Sequence, residues 1–134
     1  MKKLATILIS IFALTACSPG NEDLWNSLPA EISDFITEYW PGSSINAYTP
    51  GATSTYVRIT DGPGITFDSD YAWTTVDGYG MPVPQQFVYD QLPEGLYDIL
   101  ESQEVVNQVF SVSRQDGRYS LTLLDSTISY PDTN

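Results

Sequence analysis

Few side chains in this 134-residue chain could carry covalent or acid–base chemistry. Histidine is absent, so the sequence excludes a His-based catalytic triad, an imidazole general base and a His-rich metal site. The glycines lie in predicted turns and lack the spacing of a phosphate-binding loop. Two candidates remain: the single thiol, Cys17, and the 17 carboxylates of aspartate and glutamate.

Carboxylates could act as calcium ligands or as a pair of general acid and base. Asp68-Ser69-Asp70 begins like a calcium-binding loop, but the glycine and the distal glutamate of such a loop are missing. The motif therefore favours a solvated turn. A carboxylate pair for glycoside hydrolysis is compatible with the residue types, but it needs a deep cleft. We predict no catalytic residue, no metal site and no cofactor.

Cys17 ends an N-terminal apolar segment. Two lysines supply positive charge, residues 4–14 are apolar and too few to cross a bilayer, and Leu14-Thr15-Ala16-Cys17 closes the segment. This arrangement resembles a bacterial lipoprotein signal with its lipobox. In that class the cysteine receives a diacylglyceryl group, the preceding peptide bond is cut and the new amino group is acylated. The resemblance implies that residues 1–16 are removed and that Cys17 is lipidated; an ordinary secretory signal is the alternative.

The chain beyond residue 16 is strongly acidic. Three arginines, Arg58, Arg114 and Arg118, stand against 17 acidic residues, a formal net charge of −14 (3 − 17). Such a field repels phosphate backbones, so nucleic acid is not an expected partner. The lack of lysine there excludes Schiff-base chemistry. The acidity favours solubility, with recognition of a cationic partner as the alternative.

The pattern predicts one domain, residues 28–134, behind a polar tether at residues 17–27. Leu28-Pro29 precedes apolar residues at helical spacing, and Pro41-Gly42 ends that helix. Short alternating segments then predict strands at residues 45–48, 53–60, 65–67 and 71–76.

Part of this pattern returns sixty-four positions later. Leu92-Pro93-x-x-Leu96 repeats Leu28-Pro29-x-x-Ile32, and strand-like segments follow in the same order. An internal repeat of this kind indicates duplication of one supersecondary unit, with repeats at residues 28–82 and 83–134. We therefore predict an α+β fold: a tandem repeat of helix plus antiparallel β-meander, with the helices packed on one face of the sheet. The second unit gains a helical lead-in at residues 83–91 and lacks an equivalent of strand 71–76.

The same spacing resembles the PepSY-like proteins, also called β-lactamase-inhibitor-like proteins. The matching motifs lie in residues 28–77, at Val83-Pro84 and in residues 92–130. The resemblance implies a small secreted or lipid-anchored envelope protein, built from two helix-on-sheet units and carrying no catalytic signature. Inhibition of a β-lactamase is a name that comes with the family, and the sequence identifies no inhibited enzyme.

The sheet face turned away from the helices supplies the candidate binding residues. Alternation places Tyr56 and Arg58 on this face, with Tyr48 and Trp73 as neighbours. Tyrosine and arginine are enriched at interface hot spots, although both also occur as ordinary strand residues. The opposite face carries the predicted core residues Val57, Ile59, Ile65, Phe67, Leu121 and Leu123.

These observations favour a lipid-anchored protein of the cell envelope, held at the outer membrane, that binds a protein or peptide without catalysis. An inhibitor-like role is what the family resemblance implies, and the periplasmic or exterior membrane face stays open. The alternative is a small carbohydrate-binding or carboxylate-dependent hydrolytic lipoprotein. An open sheet face with aromatic residues favours the first function, and an enclosed cleft with two facing carboxylates favours the second.

We expect Cys17→Ser to abolish lipid attachment, because the hydroxyl cannot replace the thiol that accepts the diacylglyceryl group. The variant should accumulate as an unprocessed or soluble form, whereas the parent protein partitions with membranes. Mass spectrometry of the mature N-terminus checks this, and an unmodified Cys17 or cleavage at another bond contradicts it.

Overall fold

The computed structural model describes residues 21–132, which form helices against one antiparallel sheet. The helices are α1 (Asn21–Asn26), α2 (Ala30–Tyr39), α3 (Gln85–Gln91) and α4 (Glu94–Ser102), and a short 3-10 helix follows at Val106–Gln108. The strands are β1 (Ile45–Thr49), β2 (Ser54–Ile59), β3 (Gly64–Asp68), β4 (Trp73–Asp77), β5 (Ser111–Gln115), β6 (Arg118–Thr122) and β7 (Thr127–Pro131). Cys17 and the predicted signal at residues 1–16 lie outside the described residues.

Proline sets where the two longest helices begin. Pro29 precedes α2 with φ −57°, and Pro93 precedes α4 with φ −58°. The first N–H groups of a helix have no partner within it, so the missing N–H of proline costs little there. Glu31 and Glu94 lie in the first turns, where a carboxylate complements the positive end of the helix dipole. The predicted helix start at Leu28-Pro29 is confirmed.

All seven strands belong to one sheet, in the order β1-β2-β3-β4-β5-β6-β7. Neighbouring strands are antiparallel throughout, including β4 and β5, although α3 and α4 separate them in the sequence. Thr75 pairs with Ser113 and Val76 with Val112 at this junction. The junction joins the two strand groups into one continuous surface. The predicted strands at residues 45–48, 53–60 and 65–67 match β1, β2 and β3.

The core lies between the helices and one face of the sheet. Ile32 and Ile36 of α2 and Leu96 and Leu100 of α4 are fully buried, as the helical spacing requires. The predicted core residues of the sheet are all buried as well: Val57, Ile59, Ile65, Phe67, Leu121 and Leu123. Aromatic rings fill the space under β3 and β4, where the ring of Phe87 lies 5.1 Å from that of Trp73. One continuous core therefore supports the whole sheet.

Corresponding elements of the two halves begin at nearly constant separations. The starts of α3, α4 and β6 each lie 64 positions after those of α1, α2 and β2 (85 − 21, 94 − 30, 118 − 54), and β7 begins 63 positions after β3 (127 − 64). Phe35 and Ile99, which correspond in the predicted repeat, are both half-buried. Within residues 21–132, β4 has no counterpart after β7.

Part of the predicted polar tether at residues 17–27 is a helix. Asn21–Asn26 forms α1, and Leu24 and Trp25 pack against the core. A six-residue helix is too short to show a helical period, so its apolar pair carried little signal in the sequence. The helical lead-in predicted before Leu92 is present as α3. It is not an addition to the second half, as predicted, because α1 lies 64 positions earlier.

We expect Ile32→Ala and Leu96→Ala each to lower the free energy of unfolding by about 2–5 kcal/mol, since each leaves a cavity in a close-packed core. Leu124→Ala is the matched control, because Leu124 is 64% exposed and its truncation should change stability by less than about 0.5 kcal/mol. Urea unfolding measures all three. A cost at position 96 no larger than the control would contradict this view of the core.

Candidate functional site

The outer face of the sheet, on the side away from the helices, carries rows of hydroxyl groups. One row runs across six strands, each residue directly opposite the next: Tyr56, Thr66, Thr75, Ser113, Ser120 and Ser129. The neighbouring row contains Arg58, Gly64, Asp77, Ser111, Thr122 and Thr127. Because side chains alternate along a strand, both rows point away from the core. The outer face is therefore a broad surface of small polar side chains with one large cluster at its β2 end.

Charge is divided unequally between the helices and the sheet. The four helices contain no lysine or arginine, and α2, α3 and α4 expose seven acidic side chains: Glu31, Asp34, Glu38, Asp90, Glu94, Asp98 and Glu101. The outward positions of the strands carry two charges of each sign: Arg58, Arg118, Asp68 and Asp77. The acidic field thus comes largely from the helical side, and the outer face is close to neutral.

Tyr56, Arg58 and Tyr79 form the cluster at the β2 end, which we call the tyrosine–arginine cluster. The two phenol oxygens lie 3.0 Å apart, and the guanidinium carbon of Arg58 lies 4.0 Å from the centre of the Tyr79 ring. Arg58 Nε also donates to the carbonyl oxygen of Gly62 at 3.1 Å. A cation over an aromatic ring at this distance is attracted by its electron-rich face. The three side chains hold each other in place.

Gly64 makes room for this cluster on β3. A β-carbon at Gly64 would collide with the Tyr56 hydroxyl and would come within 2.9 Å of Cε2 of Tyr79. Tyr79 reaches this position from the turn after β4, where its φ of 52° is left-handed and its N–H donates to Asp77 Oδ1 at 2.9 Å. The missing side chain of Gly64 therefore allows both rings to lie close to the backbone of the sheet.

The phenol of Tyr56 is held in its protonated form. Burial raises its pKa above the ordinary value, and the hydrogen bond to Tyr79 raises the pKa further, while the Arg58 charge acts in the opposite direction. At neutral pH both the hydroxyl and the guanidinium are therefore hydrogen-bond donors. The cluster suits an acceptor-bearing or aromatic group on a partner.

Two of the four predicted surface residues lie where alternation placed them, and two do not. Tyr56 and Arg58 are half-buried residues on the outer face, as predicted. Trp73 is only 2% exposed and belongs to the core, and its Nε1 donates to Gln91 Oε1 at 2.9 Å. Tyr48 pairs with Val57 and packs against the core. The placement of Trp73 and Tyr48 on the outer face was therefore wrong.

β-bulges explain both errors. The pairing of β1 with β2 shifts between Ile45 and Ala47, which turns Tyr48 towards the core face. The pairing of β3 with β4 shifts between Thr66 and Phe67, so that Phe67 lies opposite Trp73. An extra residue in one strand reverses every later side chain, and simple alternation cannot anticipate it.

Tyr79 is the member of the cluster that the sequence did not reveal. It lies in a glycine-rich turn outside any strand, and only the left-handed turn after β4 brings its ring back over β3. No periodic pattern includes such a residue, so the only signal in the sequence was an aromatic residue between two turn glycines, Gly78 and Gly80.

An acidic groove lies on the helical side, between α3 and α4. It has a volume of about 620 Å³ and is lined by Tyr89, Asp90, Leu92, Glu94, Tyr97, Asp98 and Glu101. Tyr89 and Tyr97 meet edge to face in its wall, with ring centres 5.2 Å apart. The groove is wide and open to solvent.

Asp68 forms the predicted turn. Its Oδ1 accepts hydrogen bonds from the backbone N–H groups of Asp70 at 2.8 Å and Ala72 at 3.0 Å. Within residues 21–132, no three acidic, histidine or cysteine side chains are grouped so as to hold a metal ion. Among the same residues, no helix has both the length and the apolar character to cross a membrane.

The fold is shared with solved bacterial structures, although no protein-family model and no curated protein matches the chain. A protein of the DUF2874 family from Bacteroides vulgatus, assigned to the periplasm, has a TM-score of 0.68 at 20% identity, covering 80% of this chain and 85% of its own. A second B. vulgatus protein, of unknown function and also assigned to the periplasm, has a TM-score of 0.65 at 19% identity, with 80% and 86% covered.

A third similar structure comes from Bacteroides thetaiotaomicron and is described as a calcium-regulated periplasmic protein. Its TM-score is 0.66 at 18% identity, over 80% of this chain and 85% of that one. At such low identities the likeness shows a shared fold alone, which in this chain is α+β with a seven-stranded antiparallel sheet.

We expect Gly64→Ala to destabilise the protein by about 1–3 kcal/mol, because the new methyl group displaces both phenol rings of the cluster. Thr66→Ala, two positions along the same face of β3, is the matched control and should change stability by less than about 0.5 kcal/mol. In a Tyr56→Ala/Tyr79→Ala double variant, which lacks both rings, the loss of stability caused by Gly64→Ala should largely disappear. Urea unfolding of the parent and the four variants tests this, and an undiminished cost in the double-variant background means that the rings are not what Gly64 accommodates.

Proposed function

We propose that this protein is a lipid-anchored, non-catalytic binding protein of the bacterial cell envelope, which recognises a protein or peptide through the outer face of its sheet. The observation that carries the proposal is the tyrosine–arginine cluster on an outer face that no element among residues 21–132 covers. Hot spots of protein interfaces are enriched in these residue types, and their surroundings are often small and polar.

The envelope location is supported by two independent observations. Leu14-Thr15-Ala16-Cys17 resembles a lipobox, and the fold is that of proteins assigned to the periplasm. Lipidation at Cys17 would hold the domain at a membrane, which we propose is the outer membrane. Residues 18–20 would then be a short connection between the lipid and α1.

The constant spacing of elements supports a finer proposal about origin. We propose that residues 28–82 and 83–134 are tandem units of the PepSY-like, β-lactamase-inhibitor-like type. Ile32 and Leu96 are fully buried at equivalent positions, and β2 and β3 are followed 64 and 63 positions later by β6 and β7 in the same order. Duplication explains why the sheet is wide enough to offer a seven-strand binding face.

Charge indicates what kind of partner fits. The acidic helices attract a partner with basic surroundings, while Arg58 on the outer face favours an acidic or aromatic group at the point of contact. A protein with a basic rim around such a group satisfies both conditions. Calcium does not enter the proposal, because the described residues group no set of three ligands for a metal ion.

A carbohydrate-binding or hydrolytic lipoprotein is the second candidate, favoured by the acidic groove with its two tyrosines. Hydrolysis would require two facing carboxylates in an enclosed site, whereas this groove is open. Sugar binding on the outer face would use the Tyr79 ring, one side of which Arg58 already covers. Protein or peptide binding requires neither an enclosed site with two carboxylates nor a free face of the Tyr79 ring.

A site-specific photo-crosslinker at Thr66 tests the proposal in the native envelope. We expect it to give a discrete crosslinked product, because Thr66 lies beside Tyr56 on the outer face. The same crosslinker at Glu31, on the exposed side of α2, is the control position. Tyr56→Ala and Arg58→Ala should each weaken the Thr66 product at least about tenfold, given hot-spot costs of about 2 kcal/mol.

The thermal midpoint of each variant distinguishes binding from folding. Both side chains lie on the outer face and outside the core, so the midpoint should fall far less than for Ile32→Ala. If both variants keep the full Thr66 product but unfold several degrees earlier, the cluster is structural. A product at Glu31 alone moves the binding surface to the helices.

A further inference from the structure

We propose that the free edge of β7 binds an extended peptide segment, neutral or basic in charge, as an additional antiparallel strand of the sheet. This site is separate from the tyrosine–arginine cluster, which lies at the other end of the outer face. The proposal rests on the direction of backbone groups in β7 and on the strand that occupies the corresponding edge of β3.

The hydrogen bonds around β7 define which backbone groups face the free edge. The N–H of Leu123 donates to the carbonyl of Ser126, and the N–H of Asp132 donates to the carbonyl of Gly117, both at 2.8 Å. In an antiparallel pair the direction of these groups alternates along the strand, so residues 128 and 130 also face β6. The N–H and C=O groups of Thr127 and Ser129, and the C=O of Pro131, therefore face away from β6. No strand among residues 21–132 pairs with that edge.

The edge of β3 that corresponds to the free edge of β7 is paired with a strand, β4. Gly64 and Thr66, 63 positions before Thr127 and Ser129, pair with Asp77 and Thr75 of β4. With β4 alongside, Ile65 and Phe67 of β3 are 0% exposed. The corresponding side chains of β7, Ile128 and Tyr130, pack against the core but remain half-buried. The edge of β7 thus lacks the apolar cover that β4 provides to β3.

β4 also indicates the composition of a fitting segment. Val76 and Trp73 lie opposite Ile65 and Phe67 on the core side, and Thr75 lies opposite Thr66 on the outer side. A segment with two apolar residues facing the core and hydroxyl residues between them, as Thr74 and Thr75 lie between Trp73 and Val76, would meet Ile128, Tyr130 and Ser129 in the same way. Such binding combines main-chain hydrogen bonds with pockets for alternate side chains.

Charge argues against a second copy of this protein as the occupant. Two copies would bring together two chains that each carry a formal net charge of −14 beyond residue 16. Asp125 and Asp132 flank β7 on its two sides, so the like charges would lie close to the shared edge. A neutral or basic segment avoids this repulsion.

Pro131 limits the length of the edge. Its missing N–H would have faced outwards, a position where proline is tolerated on an edge strand. Two N–H and three C=O groups remain for pairing, enough for a short and reversible strand. The hydroxyl of Tyr130 lies against Gly95 of α4, where a β-carbon would collide with it, so this side chain is fixed beside the edge.

The test uses the purified protein and a synthetic peptide that copies residues 72–76 with a lysine at each end. Amide hydrogen exchange followed by NMR should slow at Thr127 and Ser129 by about tenfold or more at saturating peptide. The amides of Ile128 and Tyr130 already face β6 and should change little. Absence of slowing at Thr127 and Ser129 overturns the proposal.

Methylation of single peptide nitrogens provides a matched control that leaves the protein unchanged. In β4 the N–H of Gly78 donates to the carbonyl of Phe110, just before β5. Because the direction alternates along the strand, the N–H of Val76 also faces β5 and the N–H of Thr75 faces β3. Methylation at the position of Thr75 should abolish binding, measured by fluorescence anisotropy, and methylation at the position of Val76 should not. Equal binding of the two peptides overturns the proposal.

Variants at Ser129 complete the test. Ser129→Pro removes an outward N–H without losing a bond to β6 and should abolish peptide binding, whereas Ser129→Ala should retain it. Analytical sedimentation of the parent protein tests whether a second copy occupies the edge instead. If the parent is a dimer, Ser129→Pro dissociates that dimer and the peptide does not bind, the edge serves self-association and the proposal is overturned. Tyr56 and Arg58 lie on β2, at the other end of the sheet from β7. Failure of peptide binding at β7 therefore leaves the crosslinking result at Thr66 unaffected.

Discussion

The pairing of β4 with β5 is the contact on which the rest of the structure depends. Two helices separate these strands in the sequence, yet Thr75 and Val76 pair directly with Ser113 and Val112. Without this ladder the two strand groups would be separate sheets, each with an additional open edge. With it, one core serves both groups of helices, and the outer face extends without interruption from β1 to β7.

That continuous sheet separates two kinds of surface. The helices carry acidic side chains and no basic ones, whereas the outward positions of the strands are mainly serine and threonine. An acidic field over one side guides the approach of charged partners, and a neutral face with few long side chains allows close contact. The protein thus has one strongly acidic side and one nearly neutral side, a division that a single net charge does not reveal.

One glycine and one β-bulge allow large aromatic side chains to pack against this sheet. Gly64 leaves room for the rings of Tyr56 and Tyr79, and the shift in pairing beside Phe67 turns Trp73 into the core. The face of the Trp73 ring is then covered by Arg114, whose guanidinium carbon lies 4.1 Å from the ring centre. Two of the three arginines thus lie over aromatic rings, one on each face of the sheet.

Local pattern in the sequence determined the elements and most of the core. Pro29 and Pro93 mark helix starts, and alternation around Val57 and Ile59 identifies the buried face of β2, because both signals act over a few residues. Tertiary structure alone decided the side on which Tyr48 and Trp73 lie, since bulges arise from pairing between strands. It also decided the position of Tyr79, which no periodic pattern contains, and the open edge of β7, which depends on the order of all seven strands.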